Sequence, residues 1–243
     1  MATYLYCVRS DAATVPSRLR GIDDAEVRSL AVDDLIAWVS DVQESPPATI
    51  ERLKAHDAVC AAALAIGDDT PLPVRFGQIF ADDSAAIASL EDRLVPLRKR
   101  LVRVAGCAEM RVVVRRGREI PESTEVEDFD DEPVAAGTAT ESDSGIDGPG
   151  TAFLKRLARA GRDDLSREVG CEEARHAVKT AARDLIVELD RCEAARGLAF
   201  FPVLVRRGNA DSFRALVNTL QVAQKIDVTV FGPFAPYSFA GDA

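Results

Sequence analysis

Two histidines in 243 residues leave little of the side-chain chemistry from which catalytic sites are usually built. Nucleophilic catalysis needs a base beside its nucleophile. His56 and His176 both fall in helical patterns, and neither has a Ser or Cys arrangement that signals a triad. The chain also lacks a P-loop signature and a dinucleotide-binding glycine fingerprint. Its nearest glycine cluster, Gly145 to Gly150, has no strand before it. Positive charge is short as well: 30 Lys and Arg against 40 Asp and Glu give a formal charge of −10. Attraction to a phosphate backbone is therefore excluded as the basis of function, and nucleic acid is not an expected partner. No apolar run approaches the roughly 18 to 20 residues of a membrane helix, so no membrane is expected either. The five cysteines, Cys7, Cys60, Cys107, Cys171 and Cys192, are odd in number and never closely spaced. They read as small core residues in a reducing compartment rather than as zinc ligands or a redox pair. Met1-Ala2-Thr3 leads into a strand-like segment without the basic and apolar regions of a signal peptide, so a cytoplasmic location is expected. No catalytic residue, cofactor or metal ligand is expected.

What is present is a globular composition, 47% hydrophobic with a mean hydropathy of −0.04, on a length that allows one large domain or two small ones. Thr3 to Arg9 alternates with period two and reads as a central strand, followed by strands over Glu26 to Ala31 and Leu35 to Ser40. Thr49 is placed to cap a helix bearing Ile50, Leu53, Cys60 and Leu64 and stopped at Gly67. Thr70 to Phe80 holds Pro71, Pro73 and Gly77 among apolar residues and predicts an irregular edge or bulged strand. Within it Arg75 reads as the partner of a local carboxylate, with contact to an anion or a protein as the sharper alternative. Asp83 or Ser84 should cap a helix whose stripe is Ile87, Leu90, Leu94, Leu97 and Leu101, kinked at Pro96.

Glu109 to Arg116 predicts the strand that opens a second domain. From Glu119 to Asp147 there is no Lys or Arg among eleven carboxylates, the composition of a solvated insert, taken as residues 119–149. Phe153 to Leu157 starts a helical region, and Cys171 to Arg196 predicts a long helix whose other side carries Arg175, Lys179 and Arg183 for solvent or a partner. Ala199 to Arg206 reads as a strand, Asp211 as the cap of a helix with Phe213, Leu216 and Val217, and Ile226 to Phe231 as the closing strand. Strands mixed with covering helices in both halves give the fold class α+β in two domains, 1–106 and 107–243.

Phe231, Phe234, Tyr237 and Phe239 then crowd four aromatics into nine residues of a chain that is 6% aromatic. Gly232, Pro233 and Pro236 among them should end the strand, and the tail is expected to dock as a clasp against the second domain. A strand, then Gly-Pro, an aromatic and Pro236-Tyr237-Ser238-Phe239 resembles the end of the gas vesicle accessory proteins of the F/L type. Tyr4-Leu5-Tyr6 is similar to that family's opening strand. Leu72-Pro73-Val74-Arg75-Phe76-Gly77 is similar to its central block, and Phe200 to Arg206 to its penultimate strand. Phe234-Ala235 stands where the family usually has Trp-Pro. The resemblance implies a second domain that is ferredoxin-like with long covering helices, and no enzymatic activity. It also implies an accessory or minor structural role in gas vesicle assembly. The main shell subunit and other accessory proteins would be the partners, met through Arg75 and Phe76 and through Arg175, Lys179 and Arg183. An alternative of another class is a small-molecule-binding regulatory or enzymatic module of ferredoxin-like architecture, with Arg75 gripping an anion.

Overall fold

The computed structural model describes residues 1–10, 13–43, 45–116, 170–195, 198–220, 222 and 226–241; the acidic stretch 119–149 and the helix expected from Phe153 lie outside these. The chain forms two antiparallel sheets with helices packed on them, an α+β architecture.

The first sheet holds β1 (Ala2–Arg9), β2 (Arg28–Val32), β3 (Leu35–Val42) and two two-residue strands, β4 (Leu72–Pro73) and β5 (Ile79–Phe80). Its order is β2-β3-β1-β4, with β5 also paired to β1. The prolines and glycine of the Thr70 to Phe80 stretch explain why only these two fragments pair. From Thr3 to Arg9 every residue of β1 is buried, because both faces of the strand are covered. Tyr4, Tyr6 and Trp38 pack with Val59, Cys60 and Ala63 of α1 (Ile50–Ala65). Leu5, Val8 and Val39 pack with Leu90 of α2 (Asp83–Glu91) and with Leu97 and Leu101 of α3 (Leu94–Val104). A bulge between Leu5 and Cys7 turns both Tyr6 and Cys7 toward α1.

Thr49 caps α1 as expected, its hydroxyl accepting from the Arg52 N–H. The other end of α1 is closed by a side chain from the sheet. Arg9 is wholly buried, lies 5.6 Å from the Trp38 ring and donates to the carbonyls of Ala63 and Ile66. These are carbonyls the last turn of a helix leaves without an internal partner, at the negative end of its dipole.

Two helices replace the single kinked one expected over Ile87 to Leu101. The chain breaks at Asp92-Arg93, which puts Pro96 in the first turn of α3, where its missing N–H loses no helical bond. The cap of α2 is Asp82, accepting from the Ala85 N–H at 2.8 Å, and not Asp83 or Ser84. Asp83 instead binds Arg28 at 2.8 and 2.9 Å.

The second sheet holds β6 (Cys107–Arg116), β7 (Ile186–Leu189), β8 (Glu193–Ala195), β9 (Leu198–Arg206) and β10 (Ile226–Phe234), in the order β10-β6-β9-β7 with β8 on β9. On one face lie α4 (Cys171–Ala181) and α5 (Ala210–Asn218), whose Ala174, Val178, Phe213 and Val217 pack on Met110, Val112, Phe201 and Val203. The helix expected from Cys171 to Arg196 thus ends at Ala181. Leu185 and Leu189 fit a helical spacing, but Ile186–Leu189 instead pairs with β9, a case of sheet packing overriding local pattern. The return of the chain brings Cys192 back to the start of α4, where it is disulfide-bonded to Cys171 with Cα atoms 6.2 Å apart. Reading all five cysteines as free core thiols is corrected accordingly: Cys7, Cys60 and Cys107 are free and buried, and the other two are bonded. Asp211 lies inside the first turn of α5, paired with Arg214, and Asn209 occupies the cap position.

Candidate functional site

Three blocks far apart in sequence, Tyr4-Leu5-Tyr6, Leu72–Gly77 and the C-terminal tail, meet over His56 on α1. The imidazole is buried, with Nε2 3.1 Å from the Val74 carbonyl and Nδ1 2.9 Å from the Tyr4 hydroxyl. A carbonyl only accepts, so Nε2 is the donor and Nδ1 takes the Tyr4 proton. The Tyr4 oxygen in turn accepts the Gly77 N–H at 3.1 Å. The loop between β4 and β5 is pinned at Val74 and Gly77 by two buried side chains. Phe76 lies 5.9 Å from both the Tyr4 and the His56 rings, and Tyr237 lies 6.3 Å from His56. Beneath them the Tyr6 hydroxyl bonds Ser40 at 2.7 Å and accepts the Ile22 N–H at 2.9 Å. Burial pushes the Tyr4 and Tyr6 phenols up, so both remain neutral hydrogen-bonding groups.

The tail passes from the second sheet to the first. β10 runs on to Phe234, beyond the expected end at Phe231, because an edge strand tolerates a bulge and a proline between Phe231 and Phe234. Gly232 has φ of 120°, and a Cβ there would lie 2.8 Å from the Glu109 carbonyl oxygen, so the turn needs glycine. Pro233 is exposed, while Phe234 is half-buried and lies 5.8 Å from the Arg111 guanidinium, which Phe200 approaches at 5.1 Å. Pro236 is buried, Tyr237 packs in the His56 cluster, and Phe239 packs with Leu5, Val8 and Leu35. Tyr237 therefore seats on the first sheet and α1, and Phe239 in a cluster drawn mainly from the first half with Cys107 and Leu204 of the second, whereas the sequence suggested the second half alone.

Glu109 locks this crossing. Its fully buried carboxylate accepts from the Ser238 N–H at 2.8 Å, the Ser238 hydroxyl at 3.0 Å and Arg111 at 3.1 Å. Burial pushes the Glu109 carboxyl up, against the pull of Ser238 and Arg111. The folded protein then holds this proton more tightly than the unfolded chain does. Its stabilising contribution is complete below the ordinary carboxylate value of 4.5 and is lost as pH rises through the raised value. In urea unfolding at pH values upward from about 4.5, wild type is expected to lose stability relative to Glu109→Gln; parallel curves would contradict the shift.

Between the two halves lies an open cleft of about 870 Å³. Leu5, Leu72 and Leu97 give it an aliphatic lining. Arg75, Arg93 and Arg100 line it from the first half, and Asp190, Arg191 and Glu193 from the second. Arg103 ties α3 to β7 through a two-pronged contact with Glu188, 2.9 Å at Nε. With Phe76 held inward, Arg75 is exposed into the cleft and forms no ion pair with a described residue, so the carboxylate partner expected of it is not found there. Arg175 donates to the Asp190 carbonyl at 2.7 Å behind the cleft wall. Lys179 is exposed on α4, and Arg183 is exposed in the turn that follows, so these three do not form one helical face. Among the described residues no three or more His, Cys, Asp or Glu side chains converge as a metal site needs. No helix among them is long and apolar enough to cross a membrane.

Residues 2–241 match the family model described as "Gas vesicle synthesis protein GvpL/GvpF". The chain belongs to that family. Membership of the GvpL/GvpF family implies a role in gas vesicle formation. Gas vesicle protein F of a Streptomyces strain is 32% identical, over 98% of this chain and 99% of its own length. Gas vesicle protein L2 of Halobacterium salinarum is 28% identical, over 98% and 91%. The fold matches the crystal structure of GvpF from Anabaena with a TM-score of 0.69 at 18% identity, covering 100% of this chain and 97% of that one. GvpF from Microcystis aeruginosa gives 0.66 at 15%, covering 99% of each.

Two residues central to this GvpL/GvpF chain escaped the sequence reading. His56 carried a signal, since it shares a helix face with Val59, Cys60 and Ala63, and a polar side chain on an apolar stripe needs partners. Glu109 was visible only as a carboxylate two residues before Arg111 on one side of a strand; that it would be wholly buried depends on the returning tail.

Proposed function

We propose that the protein is an accessory component that assists assembly of the gas vesicle shell by binding, without chemistry of its own. Its partners in this reading are the main shell subunit and other gas vesicle accessory proteins, met in the cytoplasm and at the growing vesicle. The observation that carries the reading is the cleft, into which a loop pinned at Val74 and Gly77 offers Arg75, a cation with no ion-pair partner among the described residues. A charge held on a fixed loop loses little freedom on binding. The reading takes residues 1–106 as an N-terminal α+β unit and 107–243 as a ferredoxin-like one with covering helices, with 119–149 as a solvated acidic insert. With the short β8 set aside as an addition on β9, the order β6, α4, β7, β9, α5, β10 and the sheet order β10-β6-β9-β7 support the ferredoxin-like reading.

Co-purification with the separate gas vesicle proteins tests it. Wild type is expected to retain the shell subunit and at least one accessory protein, and Arg75→Glu to weaken that retention with its circular dichroism unchanged. Full retention by Arg75→Glu would remove the cleft from the reading, and no retention by wild type would remove binding itself. Lys179→Glu with Arg183→Glu measures separately whether α4 and its following turn add a second contact.

A further inference from the structure

We propose that the cleft between the two sheets receives an extended, acidic segment of a partner protein, with aliphatic side chains between its carboxylates; the inference rests on the binding function above.

The whole chain is strongly acidic, yet among the described residues five arginines and three carboxylates line the cleft. Arg103 and Glu188 neutralise one another, which leaves two carboxylates in the lining, the exposed Glu193 and Asp190, the latter accepting the Arg191 backbone N–H at 2.7 Å. Arg75 and Arg191 are exposed, and Arg93 is held by neutral oxygens of Ser89. The cleft is thus a cationic strip on an anionic protein, which draws an acidic partner and turns away a basic one.

Shape and lining select an extended peptide. β7 is the last strand of its sheet and its Glu188 lines the cleft, whereas β4 on the facing wall ends in Pro73, which has no N–H to offer a further strand. Edge strands are where a further extended segment adds itself, and successive side chains of such a segment point to opposite sides. Carboxylates on one side of the segment then meet the arginines, while aliphatic side chains on the other meet the half-buried Val74, Tyr237 and Ala240, which lie over the buried Leu72 and Leu97. The tail completes this surface: Tyr237 and Ser238, held by His56 and Glu109, line the same cleft.

The test uses the full chain and a fluorescein-labelled eight-residue peptide of alternating glutamate and leucine, with alternating serine and leucine as control. Anisotropy is expected to show tighter binding of the acidic peptide, weakened by salt. Arg75→Ala with Arg191→Ala should weaken it about tenfold, in line with two exposed charge pairs, while Arg115→Ala outside the cleft changes nothing. The acidic peptide should also displace whichever vesicle protein the wild type retains. Equal binding of both peptides, or binding untouched by the double variant, overturns the proposal. Displacement of the peptide by millimolar inorganic phosphate or free glutamate assigns the cleft to a small anion, and its loss on self-association of the protein assigns it to a second copy; both overturn it. Wild type that retains vesicle proteins but ignores the acidic peptide rejects this inference alone, whereas wild type that retains none rejects the function on which it rests.

Discussion

Alanine in place of Phe239 is expected to remove about 3 to 5 kcal/mol of folding stability, read as a lower urea midpoint at unchanged slope. The ring is 1% exposed and shares a cluster with Leu5, Val8, Leu35 and Leu97, so its loss leaves a cavity in the core of the first half. Whole domains hold only about 5 to 15 kcal/mol, so this single substitution becomes a folding defect. Phe231 supplies the internal comparison. It lies in the same aromatic stretch but is 45% exposed, and Phe231→Ala is expected to stay within about 0.5 kcal/mol. If Phe239→Ala melted like wild type and lost only its hold on vesicle proteins, the tail would be a partner surface instead of a clasp.

Arg9→Ala should weaken the fold by about 3 kcal/mol, since it leaves buried carbonyls at the end of α1 unsatisfied and strips the packing from one side of Trp38. Arg9→Lys is expected to recover little of this, because an ammonium is compact, strongly hydrated and cannot stack on the indole while reaching both Ala63 and Ile66. Thermal and urea unfolding of the two variants measure the effect. Wild-type stability in Arg9→Ala would mean that α1 ends as well without the guanidinium as with it.

Much of the scaffold was legible because its signals are local. Asp33-Asp34 between two apolar runs marks the β2–β3 turn, and Thr49 before an apolar stripe marks the start of α1. The misread segments depended on distant neighbours. Ile186–Leu189 fits a helix until β9 offers it a pairing edge, and Cys171 meets Cys192 only because the chain reverses between them. The same holds for the site. Arg75 and Phe76 stood out as odd residues in an odd stretch, but their opposite directions follow from Tyr4 and His56 gripping the loop. Where the tail seats could not be read from its aromatics, since composition says that they will be buried and leaves open against what.

The seat of Phe239 also orders events at the ribosome. Leu5 and Val8 emerge long before Phe239, yet they fill one cluster. While the intervening chain is being made, the β1, α2 and α3 side keeps an apolar slot open to solvent, the kind of surface that holds chaperones or nucleates aggregation. A nascent chain can assemble its first sheet early, but it closes that sheet's core only once Phe239 has left the ribosome. Variants of the chain cut before Phe239 should therefore lose soluble yield out of proportion to the residues removed.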